Sequence, residues 1–174
     1  DMMTLAKGLT SGYVPMSAVM VGDRVADRLI TDGGEFYHGF TYSGHPVAAA
    51  VALANLQIIE DEKLIETVRD DTGPYLAEVL APLADHSIVG EVRSFGMLAA
   101  IELVKDKAGP VLFDPVGDVG IICREHAIAG GMMMRAVRDG MIMSPPLTFD
   151  RADIDEAVRI ATMALDKTAA DLCI

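Results

Sequence analysis

The chain has 174 residues, 51% hydrophobic and 23% charged, enough for one or two compact units with real cores and unlike the composition of a disordered chain. Its formal net charge of −12 argues against nucleic-acid or anionic-membrane partners, since both need basic surface. Cys123 and Cys173 stand far apart without metal-type spacing and read as reduced thiols of a cytoplasmic protein; no apolar run has the length of a membrane span, and no signal-peptide pattern is present.

Asp1-Met2-Met3 enters an apolar segment at once, as a chain entered midway would, so a truncated reading frame is expected. Residues 2–6 and 14–21 are short apolar runs bounded by glycines and predict buried strands joined by the loop Gly8 to Gly12. Asp23 to Ile30 predicts a short helix capped by Asp23, and Thr31 to Gly34 a loop. The run Val47 to Ile59 is rich in Ala and Leu and nearly uncharged, with Pro46 suited to a first helical turn. A helix apolar on almost every side is expected to be buried. A more amphipathic helix is expected from about Glu62 to Leu83, kinked or broken at Gly73-Pro74.

Beyond it, Ile88 to Val92 and Gly96 to Val104 predict strands with a turn near Arg93-Ser94, followed by a polar loop from Asp106 to Gly109. Val119 to Ala129 predicts a helix stopped by Gly130-Gly131. Met132 to Arg135 and Met141 to Met143 flank Asp139-Gly140, a hairpin signal. A last amphipathic helix, capped by Asp150 or Asp153, is expected to run through Leu165. The expected division is residues 1–60, sheet and helix, and residues 61–174, a smaller α+β unit.

Three places carry residues suited to chemistry. Lys7 ends an apolar run and is followed by Gly8. Apolar surroundings push an amine toward its nucleophilic form, and a following glycine lets a flat ring approach the backbone. A lysine reaching to solvent from a strand end has the same local sequence. In His38-Gly39-Phe40-Thr41-Tyr42-Ser43-Gly44-His45-Pro46, hydroxyls at Thr41 and Ser43 stand before a helix start, which suits a phosphate cradle or a simple helix cap. Arg135 ends an apolar strand beside a hairpin, where a guanidinium takes a carboxylate bidentately or is solvated. His38 and His45 lack a carboxylate or thiol to complete a metal set, so no metal is expected. The methionines of residues 132–134, 141 and 143 read as core filler.

Taken together and in this order, these segments resemble the class III (omega-) aminotransferases of fold-type I. Met3-Thr4-Leu5-Ala6-Lys7-Gly8-Leu9 through Pro15 is similar to the family's cofactor-lysine segment. The residues 38–46 quoted above are similar to the segment that delivers a threonine, from the neighbouring subunit, to the cofactor phosphate. Val89 to Arg93 and Ile101 to Leu103 resemble the first strands of its small domain. Met134-Arg135 with Ser144-Pro145-Pro146-Leu147 resembles the region of its mobile substrate arginine.

The resemblance implies an α/β fold in which residues 1–60 end the large domain that binds pyridoxal 5'-phosphate and residues 61–174 form the small C-terminal domain. It implies Lys7 as the catalytic, cofactor-holding lysine, Thr41 and Phe40 as cofactor-binding, and Arg135 as substrate-binding. It implies transfer of an amino group from a primary amine or omega-amino acid to a 2-oxo acid such as pyruvate, in a cytoplasmic homodimer with a shared active site. Family members are more than twice as long; the aspartate that pairs with the pyridine nitrogen, the ring-stacking aromatic and the glycine-serine phosphate cup have no counterpart here. The alternatives are therefore a chain that is non-catalytic as it stands, a class III aminomutase, or another class III transaminase.

Overall fold

The computed structural model describes residues 1–109 and 111–174. Met2–Leu5 (β1) pairs antiparallel with Ala18–Val21 (β2), Met2 lying opposite Val21 and Leu5 opposite Ala18. The second strand is shorter than the run 14–21 predicts. Its partner ends at Leu5, where the chain turns away into the 3-10 turn Lys7–Thr10, and Pro15 has no N–H to give a ladder.

Helix α1, Asp23–Asp32, starts from Gly22, and no side chain caps it. Asp23, predicted as the cap, stands in the first turn, where its charge favours the helix dipole. Asp32 belongs to the helix, and Gly33 closes it. Helix α2, Pro46–Asp61, has its proline in the first turn as expected, with His45 Nδ1 accepting the Ala48 N–H at 3.4 Å. The expected burial of this helix is not observed. Only Ala48 and Ala52 are buried, while Val47, Leu53, Leu56 and Ile58 are between 47 and 69% exposed. A two-stranded ribbon and one short helix do not offer enough surface to surround it. These elements make up one compact unit, Asp1–Lys63; the second is Leu64–Ile174.

The second unit opens on a continuous helical rod: α3 (Leu64–Thr67), a π-helical turn (Val68–Thr72) and α4 (Gly73–Leu80). It begins two residues later than predicted because Lys63 is left-handed, with φ 52°. The irregularity expected at Gly73-Pro74 is the π turn. Pro74 donates no N–H, and the helix widens just before it. A Cβ at Gly73 would stand 2.4 Å from the Val68 carbonyl oxygen and 3.1 Å from Gly96 Cα, so the rod passes against the β-hairpin backbone.

Val89–Phe95 (β3), Leu98–Leu103 (β4), Arg135–Val137 (β5) and Gly140–Met143 (β6) form an antiparallel sheet in the order β3-β4-β6-β5. The first turn lies at Gly96-Met97, between Phe95 and Leu98, and not at Arg93-Ser94. A two-residue hairpin needs a left-handed residue, and Gly96 supplies it with φ 55°. Arg93 remains in the strand and pairs with Glu91 at 2.6 Å and Glu102 at 2.9 Å.

On β4 the alternate residues Ala99, Ile101 and Leu103 are buried. They share the core with Leu76 and Leu80 of α4, Ile88 before β3 and Met141 of β6. Helix α5 (Asp118–Ala129) contributes Val119, Cys123 and Ala127, and α6 (Arg151–Asp171) contributes Ile154, Ala161 and Leu165. Burial raises the Cys123 thiol pKa, against a smaller opposing hydrogen bond with Thr168. Of the two caps expected, Asp150 is the N-cap of α6, and Asp153 joins it in a capping box that the sequence reading does not foresee. The helix passes the predicted end at Leu165 and reaches Asp171, carrying the buried stripe on through Thr168 and Ala169.

The second hairpin turns at Arg138-Asp139, one residue before the predicted Asp139-Gly140, and Arg138 takes the left-handed backbone with φ 54°. Asp139 is buried, and its carboxylate accepts the N–H groups of Gly117 and Gly120, each at 2.9 Å. Gly117 is the N-cap of α5 and Gly120 lies in its first turn. The helix is therefore capped from the hairpin, 19 to 22 residues away in sequence. A Cβ at Gly120 would lie 2.1 Å from the Arg138 carbonyl oxygen, so the two backbones touch. Asp139→Ala leaves one buried and one half-buried donor unpaired and is expected to destabilise the fold by about 2–3 kcal/mol. Urea unfolding checks this: the midpoint should fall with an unchanged slope.

Candidate functional site

The 3-10 turn Lys7–Thr10 and the next two residues form a tight loop after β1. Lys7, Ser11 and Gly12 all have left-handed backbone, with φ 49°, 48° and 75°. For a residue with a side chain this conformation costs about 1–2 kcal/mol. Bonds that close the loop offset it. The Gly12 N–H donates to the Lys7 carbonyl at 3.2 Å, Ser11 N–H to Gly8 at 3.3 Å and Tyr13 N–H to Thr10 at 3.0 Å. Thr10 is buried and its hydroxyl donates to the Val14 carbonyl at 2.6 Å.

Asn55, on the third turn of α2, binds the same loop from outside. Its Nδ2 donates to the carbonyls of Gly8 at 2.9 Å and Leu9 at 3.2 Å, and its Oδ1 accepts from Ser11 Oγ at 2.5 Å. The sequence alone does not single out Asn55, since Gln57 is a second amide in the same apolar helical run.

Lys7 opens on a cavity of about 690 Å³. Its lining includes Gly12, the segment Val14 to Ser17, Phe40, Tyr42 to His45, and Ala48. Ser43 Oγ accepts the Phe40 N–H at 3.0 Å, and Gly44 is left-handed with φ 70°. The N-terminus of α2 thus borders the cavity with its positive dipole end. A Cβ at Gly12 or Gly44 would meet nothing within 4 Å, so the walls are open there.

Of the predicted site residues, Lys7 and Phe40 share this cavity, whereas Thr41 is absent from its lining although both its neighbours belong to it. Arg135 belongs to the second unit, as the first residue of the edge strand β5 opposite Ile142. Its side chain is exposed, and among the described residues no carboxylate lies within ion-pair distance of it. No metal-type cluster of His, Cys, Asp and Glu occurs among the described residues, and no helix there is long and apolar enough to cross a membrane.

The model of the family Aminotransferase class-III matches residues 1–165. The chain belongs to this family. It is 55% identical over 98% of its length to the putrescine–pyruvate aminotransferase of Pseudomonas aeruginosa, of which it covers 37%. It is 44% identical over 96% of its length to the diaminobutyrate–2-oxoglutarate transaminase of Halomonas elongata, again covering 37%. An (S)-enantioselective omega-transaminase from Thermomicrobium roseum superposes with a TM-score of 0.90 at 42% identity, over 97% of this chain and 37% of that one. The omega-transaminase of Pseudomonas jessenii in complex with PMP gives 0.89 at 38% identity, over 98% and 38%. The chain therefore spans little more than a third of the length of these relatives.

The family's cofactor is pyridoxal 5'-phosphate. The cavity suits its aldehyde and phosphate ends. Lys7 brings a primary amine; Ser17, Tyr42 and Ser43 bring hydroxyls beside a helix N-terminus. No carboxylate is among the residues that line the cavity, so within this cavity the pyridine nitrogen has no acidic partner.

Proposed function

We propose that this chain carries the cofactor lysine and the substrate arginine of an aminotransferase that moves an amino group from a primary amine to a 2-oxo acid such as pyruvate. The observation that carries the reading is Lys7, held left-handed in the lining of a cavity bordered by Phe40 and the start of α2. The similarity to an enzyme named for putrescine and pyruvate favours a short aliphatic diamine as donor over other omega-amino compounds. On this reading residues 1–60 end the large cofactor-binding domain and residues 61–174 form the small domain.

Lys7 Nζ binds the cofactor and, once displaced by the amine substrate, carries a proton to and from the reacting carbon. When bound, pyridoxal phosphate supplies the electron sink for that proton removal. Phe40 sits against the cofactor pocket. Thr41 anchors a phosphate in the neighbouring subunit of a cytoplasmic homodimer, a reading its absence from its own cavity supports. Arg135 takes the carboxylate of the 2-oxo acid on an unpaired guanidinium.

A second reading, that the 174-residue chain is non-catalytic alone, is favoured by the missing carboxylate and the exposed apolar face of α2.

Mixing pyridoxal phosphate with the complete protein that carries this sequence should produce the visible absorbance of a lysine-bound cofactor. Borohydride trapping followed by peptide mass mapping should then label Lys7. Persistence of that band in Lys7→Ala would refute the lysine assignment. The 174-residue chain tested alone separates the two readings, since a colourless mixture favours the non-catalytic one. In steady-state kinetics of the complete enzyme, Arg135→Ala should raise KM for pyruvate at least about tenfold. The single-turnover rate with a diamine should stay near wild type, because that substrate has no carboxylate to lose.

A further inference from the structure

The Lys7 loop has an outside tie that the proposed chemistry does not use. Asn55 sits in the middle of α2, where an asparagine is a poor helix former, and it caps nothing in its own helix. Both ends of its amide are spent on the loop 44 to 47 residues earlier: two donated bonds to consecutive carbonyls and one accepted from Ser11. The Gly8 carbonyl also receives the Ser11 N–H, so the amide joins a network already centred on the turn. These bonds reach residues 8 to 11, directly after Lys7.

The orientation of the Lys7 side chain follows from its backbone. At φ 49° a lysine would relax to a commoner conformation if the following turn were free, and Nζ would swing with the Cα–Cβ bond. The bonds inside the loop keep its shape; only bonds to a separate element keep it in place against the start of α2, where His45 and Ala48 line the cavity. Asn55 makes such bonds from the same helix whose N-terminus borders the cavity. An amide is needed for this. A carboxylate of the same shape would donate nothing to the two carbonyls and would face them with negative charge.

We propose that Asn55 is a positioning residue for Lys7, clamping the loop to α2 so that Nζ meets the cofactor's carbonyl end in one geometry. This rests on Lys7 being the cofactor lysine.

The test uses the complete cofactor-loaded protein with Asn55→Ala, Asn55→Asp, Ser11→Ala and Lys7→Ala. Asn55→Ala should weaken pyridoxal phosphate binding roughly tenfold in an absorbance titration. It should also move the pH midpoint of the lysine-bound band, which a purely structural loss of stability leaves in place. In the cofactor-free protein the Ser11 and Gly12 amides should exchange faster. Asn55→Asp should be at least as damaging, and Ser11→Ala, which removes one bond of the three, should fall between wild type and Asn55→Ala. If Asn55→Ala does not fold, Ser11→Ala carries the same measurements.

Unchanged affinity and midpoint in a folded Asn55 variant, or in Ser11→Ala where that variant stands in, would overturn the proposal while leaving Lys7 untouched. Persistence of the band in Lys7→Ala would instead overturn the reading on which it rests.

Discussion

Between Lys7 and Gly12 the chain departs from β1 through three left-handed residues, two of which carry side chains. Such a turn is unfavourable by itself and survives because its peptide groups have defined partners. Some lie inside the loop, and the rest come from Asn55 on α2. The constraint fixes more than one lysine. Because Ala48 of α2 and the residues Gly44 and His45 just before it line the same cavity as Lys7, tying the loop to this helix ties the amine to the helix dipole and to the hydroxyls that share the cavity. The geometry of the site therefore depends on a few hydrogen bonds between one irregular loop and one regular helix.

The second unit solves a comparable problem with a charge. Its edge hairpin would otherwise hang on a three-residue strand, β5, whose first residue is Arg135. Asp139 in the turn enters the N-terminus of α5, taking two of the backbone donors that a helix leaves unpaired. Gly120 permits the close approach by having no Cβ. The turn end of the hairpin is anchored in the core, while Arg135, at the other end of its strand, stays exposed and unpaired.

Much of the second unit was legible in the sequence because its signals are local. Asp150 or Asp153 signals a helix start, Gly130 ends a helix, and Pro74 marks a helical irregularity, all of which the fold contains. The misplaced features share one cause. The sequence pattern predicts turns at Arg93-Ser94 and Asp139-Gly140, yet the structure turns at Gly96-Met97 and Arg138-Asp139. A hairpin's register is set by cross-strand pairing and by which residue takes the left-handed backbone, and Arg138 does so without any glycine to signal it. The second strand was overextended for the same reason: its length is fixed by β1, not by its own apolar run. At the site, Lys7 and Phe40 were legible as motif members. Asn55 was not, since its partners lie more than forty residues away and no local pattern encodes them.

The apolar face of α2 shows where local patterning and observed environment part. A helix apolar on almost every side predicts burial, and this one leaves Val47, Leu53, Leu56 and Ile58 largely in solvent. The cavity beside it is likewise furnished on one side of the chemistry only: amine and hydroxyls are present, and a carboxylate for a protonated pyridine is not. These two deficits are of different kinds, one of apolar contact and one of charge, yet both belong to the same unit. A chain that spans little more than a third of its relatives' length is compatible with both being met by surfaces other than these residues. What this stretch does hold, the lysine and the hydroxyls that share its cavity, is self-consistent: the left-handed residues Lys7, Ser11 and Gly12 all take part in the backbone hydrogen bonds that close the loop.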